Sequence, residues 1–318
     1  MVPNKTDITL KNDVFLDKIA LDNVYIKAAT SDNTRKAYQQ DIRHFMANGG
    51  LLPSNTGNLL QYLQNQAGAL KSETLQRRLT AIKHWHIYQG FADPTLHPMI
   101  RKTLRGIARI HGKPVEKAAA LSIHDLKSVA SFLHNRKSLR DHRDIALILI
   151  GFFGAFRRSE LAKLQWEQIQ FLEEGMTILI PRSKTDQTGE GQICAIPYVK
   201  GDICPVNALQ HWQQAVGLSS GPVFRAINKH QQIQQDCLTP LSINHILKRV
   251  AREANLPDPD RYSAHSLRRG FATMASKKGV SLTAIMHHGR WRHEGTVYGY
   301  IEEGQRFTDN PINKLLAE

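Results

Sequence analysis

Cysteine is scarce, with only Cys194, Cys204 and Cys237 in 318 residues. Three so widely spaced thiols exclude a disulfide scaffold and a zinc cluster, and suit a reducing compartment. Long apolar runs are missing too. The longest, Ile145 to Phe156, has 12 residues, too short to span a bilayer, and reads as a buried helix. Within the first 20 residues, Lys5, Asp7, Lys11, Asp13, Asp17 and Lys18 interrupt any apolar core of a secretory signal. Internal repeats and low-complexity tracts are lacking. No acidic cluster offers a hard metal ion its ligands, so no metal and no cofactor are expected.

What the chain does have is ordinary apolar content, 41%, and a large surplus of basic charge, +14 with an isoelectric point near 9.8. The first excludes wholesale disorder. The second favours a polyanionic partner, nucleic acid before an anionic membrane surface. The surplus is concentrated. Residues 71–117 carry ten Lys or Arg against three Asp or Glu, whereas residues 1–70 are almost balanced. A concentrated basic stretch is more apt to meet phosphate than an evenly basic surface is.

The length fits two domains. Residues 34–47 are expected to form a helix with Ala37, Tyr38, Ile42, Phe45 and Met46 on one stripe, Asp32 or Asn33 as N-cap, and Asn48-Gly49-Gly50 as the stop. A second helix is expected over 55–66. A third can be capped by Ser72, with Leu75, Leu79, Ile82 and His86 facing a core. Its other stripe, Thr74, Arg77, Arg78 and Ala81, offers small and basic side chains to a groove. A fourth, 96–110, carries Arg101, Lys102, Arg105 and Arg109. Residues 1–110 thus read as a helical domain with a basic side, the bland alternative being that those charges are simply a solvated helix face. Residues 111–120 read as a linker. Beyond it, helices are expected at 122–134, 141–155, 205–216, 242–254 and 265–277, with short pieces near 282–288, 296–301 and 311–317. Met176–Ile180 and Ile193–Ile196 flank a polar, Gly-ended turn and read as a β-hairpin.

Four fragments of the second half carry chemistry. An apolar helix ends at Gly154-Ala-Phe-Arg157-Arg158-Ser159-Glu160, where an arginine leads into a new helix. Lys184 sits in the hairpin turn. His265-Ser-Leu-Arg268 places two cationic side chains one helical turn apart, so both can address one anion. Gly289-Arg290-Trp291 is followed, nine residues after the tryptophan, by Tyr300. Singly each has a bland reading: a surface arginine, a solvated lysine, a core tyrosine.

Together, in this order and spacing, they resemble the tyrosine recombinase (phage integrase) family, most closely its Cre-like members. The resemblance runs from about Leu121 to the end and more weakly into the helical half. It implies a mainly α fold with a small β-hairpin or sheet, arranged as a two-domain DNA clamp. The helical core-binding domain would span 1–110, the linker 111–120 and the catalytic domain 121–318, ending in an exchange helix. It also implies roles. Arg157 and Arg268 match the catalytic arginines, Glu160 the supporting acid and Lys184 the hairpin lysine. His265 pairs with Arg268, Trp291 takes the position held by His or Trp, and Tyr300 is the nucleophile. Tyr298 is a rival to Tyr300, and Arg158 to Arg157, each out of register.

The implied reaction is transesterification. The tyrosine oxygen attacks a DNA phosphorus, the 5′ oxygen leaves, and the 3′-phosphotyrosyl ester retains the bond energy without ATP. Arginine suits the anionic transition state because it is a planar, permanently charged donor. A comparable preorganised donor contributes roughly 3–4 kcal/mol to a rate. A phenol with pKa near 10 needs help to lose its proton, from a base such as His265 or from the electrostatic pull of the two arginines, and the leaving oxygen needs an acid, Lys184. Trp291 would donate its indole N–H to the phosphate.

For DNA contact the candidates are Lys36, Thr74, Arg77, Arg78, Arg101 and Arg105, mostly to phosphate. Asn244 stands where Cre-like proteins place a base-reading arginine, and adenine would be its match. The resemblance further implies double-stranded DNA with paired inverted half-sites, a homotetramer joined by the tail helix, a Holliday junction, and a cytoplasmic, nucleoid-associated protein in a bacterial or phage setting. Ile312, Leu315 and Leu316 of the tail could instead cover their own domain. Two other functions stay open: a non-enzymatic DNA-binding protein of this fold, and a topoisomerase-like strand-passage enzyme.

Overall fold

A computed structural model of the chain describes residues 24–114, 116–136, 138–181, 191–307, 312 and 315. The chain divides between residues 115 and 116 into two compact units. Lys184, the hairpin turn over 182–190 and most of the tail helix lie outside the described residues.

The first unit is helical: α1 (Val24–Ala29), α2 (Asp32–Ala47), α3 (Thr56–Gln66), α4 (Ser72–Tyr88) and α5 (Pro98–His111). Side-chain oxygens define the starts of the second and third. Ser31 Oγ accepts from the Thr34 N–H at 3.2 Å, and Asn55 Oδ1 from the Asn58 N–H at 2.9 Å. Ser31, not Asp32 or Asn33, is therefore the N-cap of α2, because only it holds the extended backbone a cap requires. Ser72 is likewise already helical and Lys71 precedes the helix without a side-chain cap. Phe45, Leu59, Tyr62, Leu63, Leu75, Leu79, Ile82, Ile100, Leu104 and Ile107 close the core.

One expectation fails here. Arg78 is not on a DNA-facing stripe: it is 8% exposed, and its neighbour Ala81 is 2% exposed. Arg78 donates to Tyr62 Oη at 3.0 Å and lies 3.5 Å from Asp41, itself buried. Its other neighbour is the His44 ring, 2.7 Å away. The stripe faces α2 and α3, and burial of one cation there is compensated by a carboxylate and a phenol. Arg77 pairs with the same Asp41 at 2.9 Å but stays half exposed.

The second unit is built round α7 (Leu139–Phe153), preceded by α6 (Ile123–Arg136) and followed by α8 (Arg158–Ala162). From Ile145 to Ile150 every residue of α7 is buried. A helix apolar on all sides must be enclosed, and α6, α9 and α11 pack around it. Next comes an antiparallel sheet, β1 (Ile169–Phe171), β2 (Gly175–Ile180) and β3 (Gln192–Pro197), in that order, with Met176 opposite Ile196 and Ile178 opposite Cys194. Then follow α9 (Pro205–Val216), a second hairpin of β4 (Arg225–Ile227) and β5 (Ile233–Cys237), α10 (Pro240–Glu253), α11 (Ala264–Lys277), α12 (Leu282–Gly289) and α13 (Glu294–Gln305). The β4–β5 hairpin escapes sequence reading because β5, Ile-Gln-Gln-Asp-Cys, is mostly polar and exposed. Buried Asp144 ties three of these elements together, pairing with Arg143 at 2.7 Å and with Arg249 of α10, while Arg143 donates to the Arg225 carbonyl. Among the described residues no helix is long and apolar enough to cross a membrane.

Candidate active site

Four chain segments converge within the second unit. The first is the turn after α7, where Ala155 takes a left-handed backbone, φ 46°. That turn exposes two carbonyls, Gly154 and Ala155, and reverses the chain so that Arg157 caps α8. Glu160, one helical turn later, accepts from the Arg157 backbone N–H at 2.9 Å and from its Nη1 at 2.7 Å. The Glu160 side chain is only 7% exposed.

The second segment is the start of α11. Its first free N–H, Ala264, donates to Asn244 Oδ1 of α10 at 3.0 Å. Asn244 thus anchors α11 through one lone pair of its amide oxygen, and the second lone pair stays open to a base edge. The helix then carries His265 and Arg268 on one face. Arg268 is buried, donates from Nη1 to the Ala155 carbonyl, and leaves Nη2 buried without a hydrogen-bond partner. Arg269 diverges, donating to the Ala118 carbonyl.

The third segment is the turn after α12. Arg290 is left-handed, φ 58°, and buried. Its carbonyl accepts from Arg157 Nη2 at 3.0 Å. The next residue, Trp291, lays its ring under Arg268, 3.9 Å from the guanidinium carbon, a contact that both fixes the cation and favours its charge. The fourth segment is α13. Tyr300 Oη lies 2.9 Å from His265 Nε2, and the ring sits edge-on to Trp291 with centroids 6.2 Å apart. Two positions back, about 200° round the helix, Tyr298 is 47% exposed and outside this cluster. Arg158 is exposed as well.

Arg157, Glu160, His265, Arg268, Trp291 and Tyr300 thus gather in one place. Lys184 lies outside the described residues. Of the DNA candidates, Lys36, Arg77, Arg101 and Arg105 are exposed and Thr74 is half-buried. Arg101 and Arg105 line a cavity of about 710 Å³ between α4 and α5, together with Gln76, Thr80, Lys83 and His84.

Electrostatically the cluster is unbalanced, with three guanidiniums against one carboxylate. Burial opposes ionisation of Glu160, but Arg290 and the Arg157 hydrogen bonds outweigh it and hold the acid below its usual range. Arg268 is pulled down to about 9, first by burial, then by Arg157 and Arg290. Burial also pushes the Tyr300 phenol up, despite Arg268 and Arg269. His265 is held below its usual 6.5 by desolvation of its inner edge and by the same two arginines. At neutral pH the pair is therefore a protonated phenol beside an uncharged imidazole. Arg290 has no role in the sequence reading. Left-handed residues after a helix are normally Gly or Asn, so nothing local marks an arginine there as buried.

The phage integrase family model matches residues 119–305. An integrase/recombinase XerD homolog from Selenomonas ruminantium is 35% identical over 299 residues, 91% of this chain and 87% of that protein. The Cre recombinase of Escherichia phage P1 is 25% identical over 265 residues, 78% of this chain and 75% of Cre. Among solved structures, the Tn1549 transposon integrase in complex with circular intermediate DNA superposes with a TM-score of 0.61 at 15% identity, covering 90% of this chain and 94% of that one.

Proposed function

The chain belongs to the phage integrase family, the tyrosine recombinases, DNA strand transferases that act in site-specific recombination, and we propose that Tyr300 is its nucleophile. The supporting observation is the 2.9 Å contact between Tyr300 Oη and His265 Nε2, in the cluster that holds buried Arg268 and partly exposed Arg157. With the imidazole proton on Nδ1, the phenol donates to Nε2. As the phenolic oxygen closes on phosphorus, that proton passes to His265 and the phosphorus–5′ oxygen bond breaks. Arg157 and Arg268 hold the two non-bridging oxygens, and the unpartnered Nη2 of Arg268 is a ready donor. The surplus cationic charge of the cluster is relieved by the incoming phosphate. Lys184 is assigned the proton that the leaving 5′ oxygen takes up. Trp291 steadies Arg268, and Glu160 steadies Arg157.

Both units contribute to binding double-stranded DNA, the first through Lys36, Thr74, Arg77, Arg101 and Arg105. The duplex carries paired inverted half-sites. Four protomers exchange strands through a Holliday junction, joined by the tail helix, whose Ile312 and Leu315 are exposed. The setting is a bacterial or phage nucleoid.

A duplex selected by the purified chain from a random-sequence pool, then nicked, tests this reading on a denaturing gel. Wild type and Tyr298→Phe form a DNA-dependent covalent adduct, and Tyr300→Phe does not. Tight binding without any adduct would instead leave a DNA-binding protein that has lost strand exchange.

A further inference from the structure

We propose that Arg290 is a positioning residue for strand cleavage, its left-handed backbone and buried guanidinium together setting the places of Arg157 and Arg268. The proposal rests on the assignment of those two arginines and Tyr300 as the cleaving groups. The backbone and the guanidinium of this one residue both carry it. The Arg290 carbonyl holds Arg157 Nη2 at 3.0 Å. Its Nη2 donates to the Gly154 carbonyl at 2.9 Å, reaches Ala155 at 3.4 Å, and lies 3.5 Å from Glu160 Oε2. The Ala155 carbonyl is also the acceptor for Arg268. Nη1 donates to the His288 carbonyl at 2.9 Å, closing the fork on its own turn, and Phe156 lies beneath the guanidinium, 4.8 Å away. Arg290 thus touches Glu160, a partner of Arg157, supplies a second partner through its own carbonyl, and touches the acceptor of Arg268. Trp291, the next residue, stacks on Arg268 from the other side.

The left-handed backbone does not itself require this side chain. A left-handed position is served more cheaply by glycine, and a buried cation costs desolvation that its partners must return. Its Nε is in fact buried without a hydrogen-bond partner. An arginine retained against both costs, with its head among groups assigned to cleavage, belongs to the reaction more than to stability.

The test separates binding, cleavage and pH response. Among the described residues, Glu160 is faced by Arg157 on its own element, Arg290 beyond α12, Arg268 on α11 and Cys194 on β3. With Arg290 gone, Glu160 loses the strongest of the influences that favour its charge, so it protonates at higher pH. Full-length Arg290→Gly and Arg290→Lys are compared with wild type and Tyr300→Phe on the selected nicked duplex. Single-turnover adduct formation and duplex affinity are measured from about pH 5 to 8, the range in which carboxylate and imidazole titrate. Arg290→Gly binds within about twofold of wild type but cleaves about 100-fold more slowly, as expected when a reacting group is misplaced by about an ångström. Its Glu160-linked fall, which in wild type lies below the His265 limb, moves to higher pH. Arg290→Lys keeps a charge without the fork, leaves that fall near wild type, and cleaves at an intermediate rate.

The role is overturned if Arg290→Gly cleaves at the wild-type rate. It is also overturned if binding and cleavage fall in the same proportion, which would mean that Arg290 merely holds the fold. An adduct persisting in Tyr300→Phe would sink the catalytic assignment, and this role with it. A Tyr300-dependent adduct unaffected by Arg290→Gly would sink this role alone.

Discussion

His265 can take the Tyr300 proton only while uncharged, and burial with two neighbouring arginines holds its pKa below 6.5. The sign follows directly: the base is lost as pH falls through that lowered value. Adduct formation on nicked DNA should therefore be flat from about pH 8 down to about 6.5 and decline only below it. A rate already falling between those values would show that the imidazole is not so perturbed or not the base. Two other residues show how far type and spacing can be trusted. Arg78 and Arg77 are adjacent and equally basic in sequence, yet Arg78 is buried against Asp41 and Tyr62 while Arg77 stays half exposed. Asn244 has a groove reader's chemistry and also anchors the α11 N-terminus. Neither fate depends on neighbours in the chain, so neither could be read there. The Tyr300 register could be, because its distance from Trp291 is a matter of counting.

Elements position these groups by close approach. On the face of α11 that meets the chain entering the second unit, Gly270 is so near that a Cβ would stand 2.2 Å from the Leu121 carbonyl oxygen and 2.9 Å from Phe152. Backbone cannot swing aside as a side chain can. Gly270→Ala must therefore shift α11, and with it His265 and Arg268. The expected outcome is a loss of about 1–3 kcal/mol in unfolding free energy, read by denaturant titration, with adduct formation reduced beyond any loss of DNA affinity. Unchanged stability and cleavage would mean that α11 has slack the geometry does not show. The helices were legible because 3.6-residue periodicity reports an apolar face directly. Strand β5 is not, since a polar, exposed strand lacks alternation, and α13 (Glu294–Gln305) outruns the expected piece near 296–301 because its apolar pattern is weak.

For the whole molecule, the +14 charge is a prediction about salt. Removing one side chain that neutralises a phosphate should lower the slope of log affinity against log salt by about 0.9. Replacing Lys36, Arg101 and Arg105 with alanine should flatten the slope in titrations of duplex binding. Arg78→Ala should leave the slope unchanged and lower the melting temperature instead, because it removes a buried partner of Asp41 and Tyr62. A slope reduced as much by Arg78→Ala would return that residue to the DNA surface. By itself the sequence determined the helical character, the basic bias toward a polyanion, and the ordered series of reactive residues from Arg157 to Tyr300, because periodicity, net charge and spacing are properties of the chain. Only the tertiary structure decided which cations face inward, that Asn244 anchors α11, and that Arg290 joins the cluster. Burial and left-handed turns bring together residues more than 130 positions apart, such as Arg157 and Arg290, and no local pattern encodes that meeting.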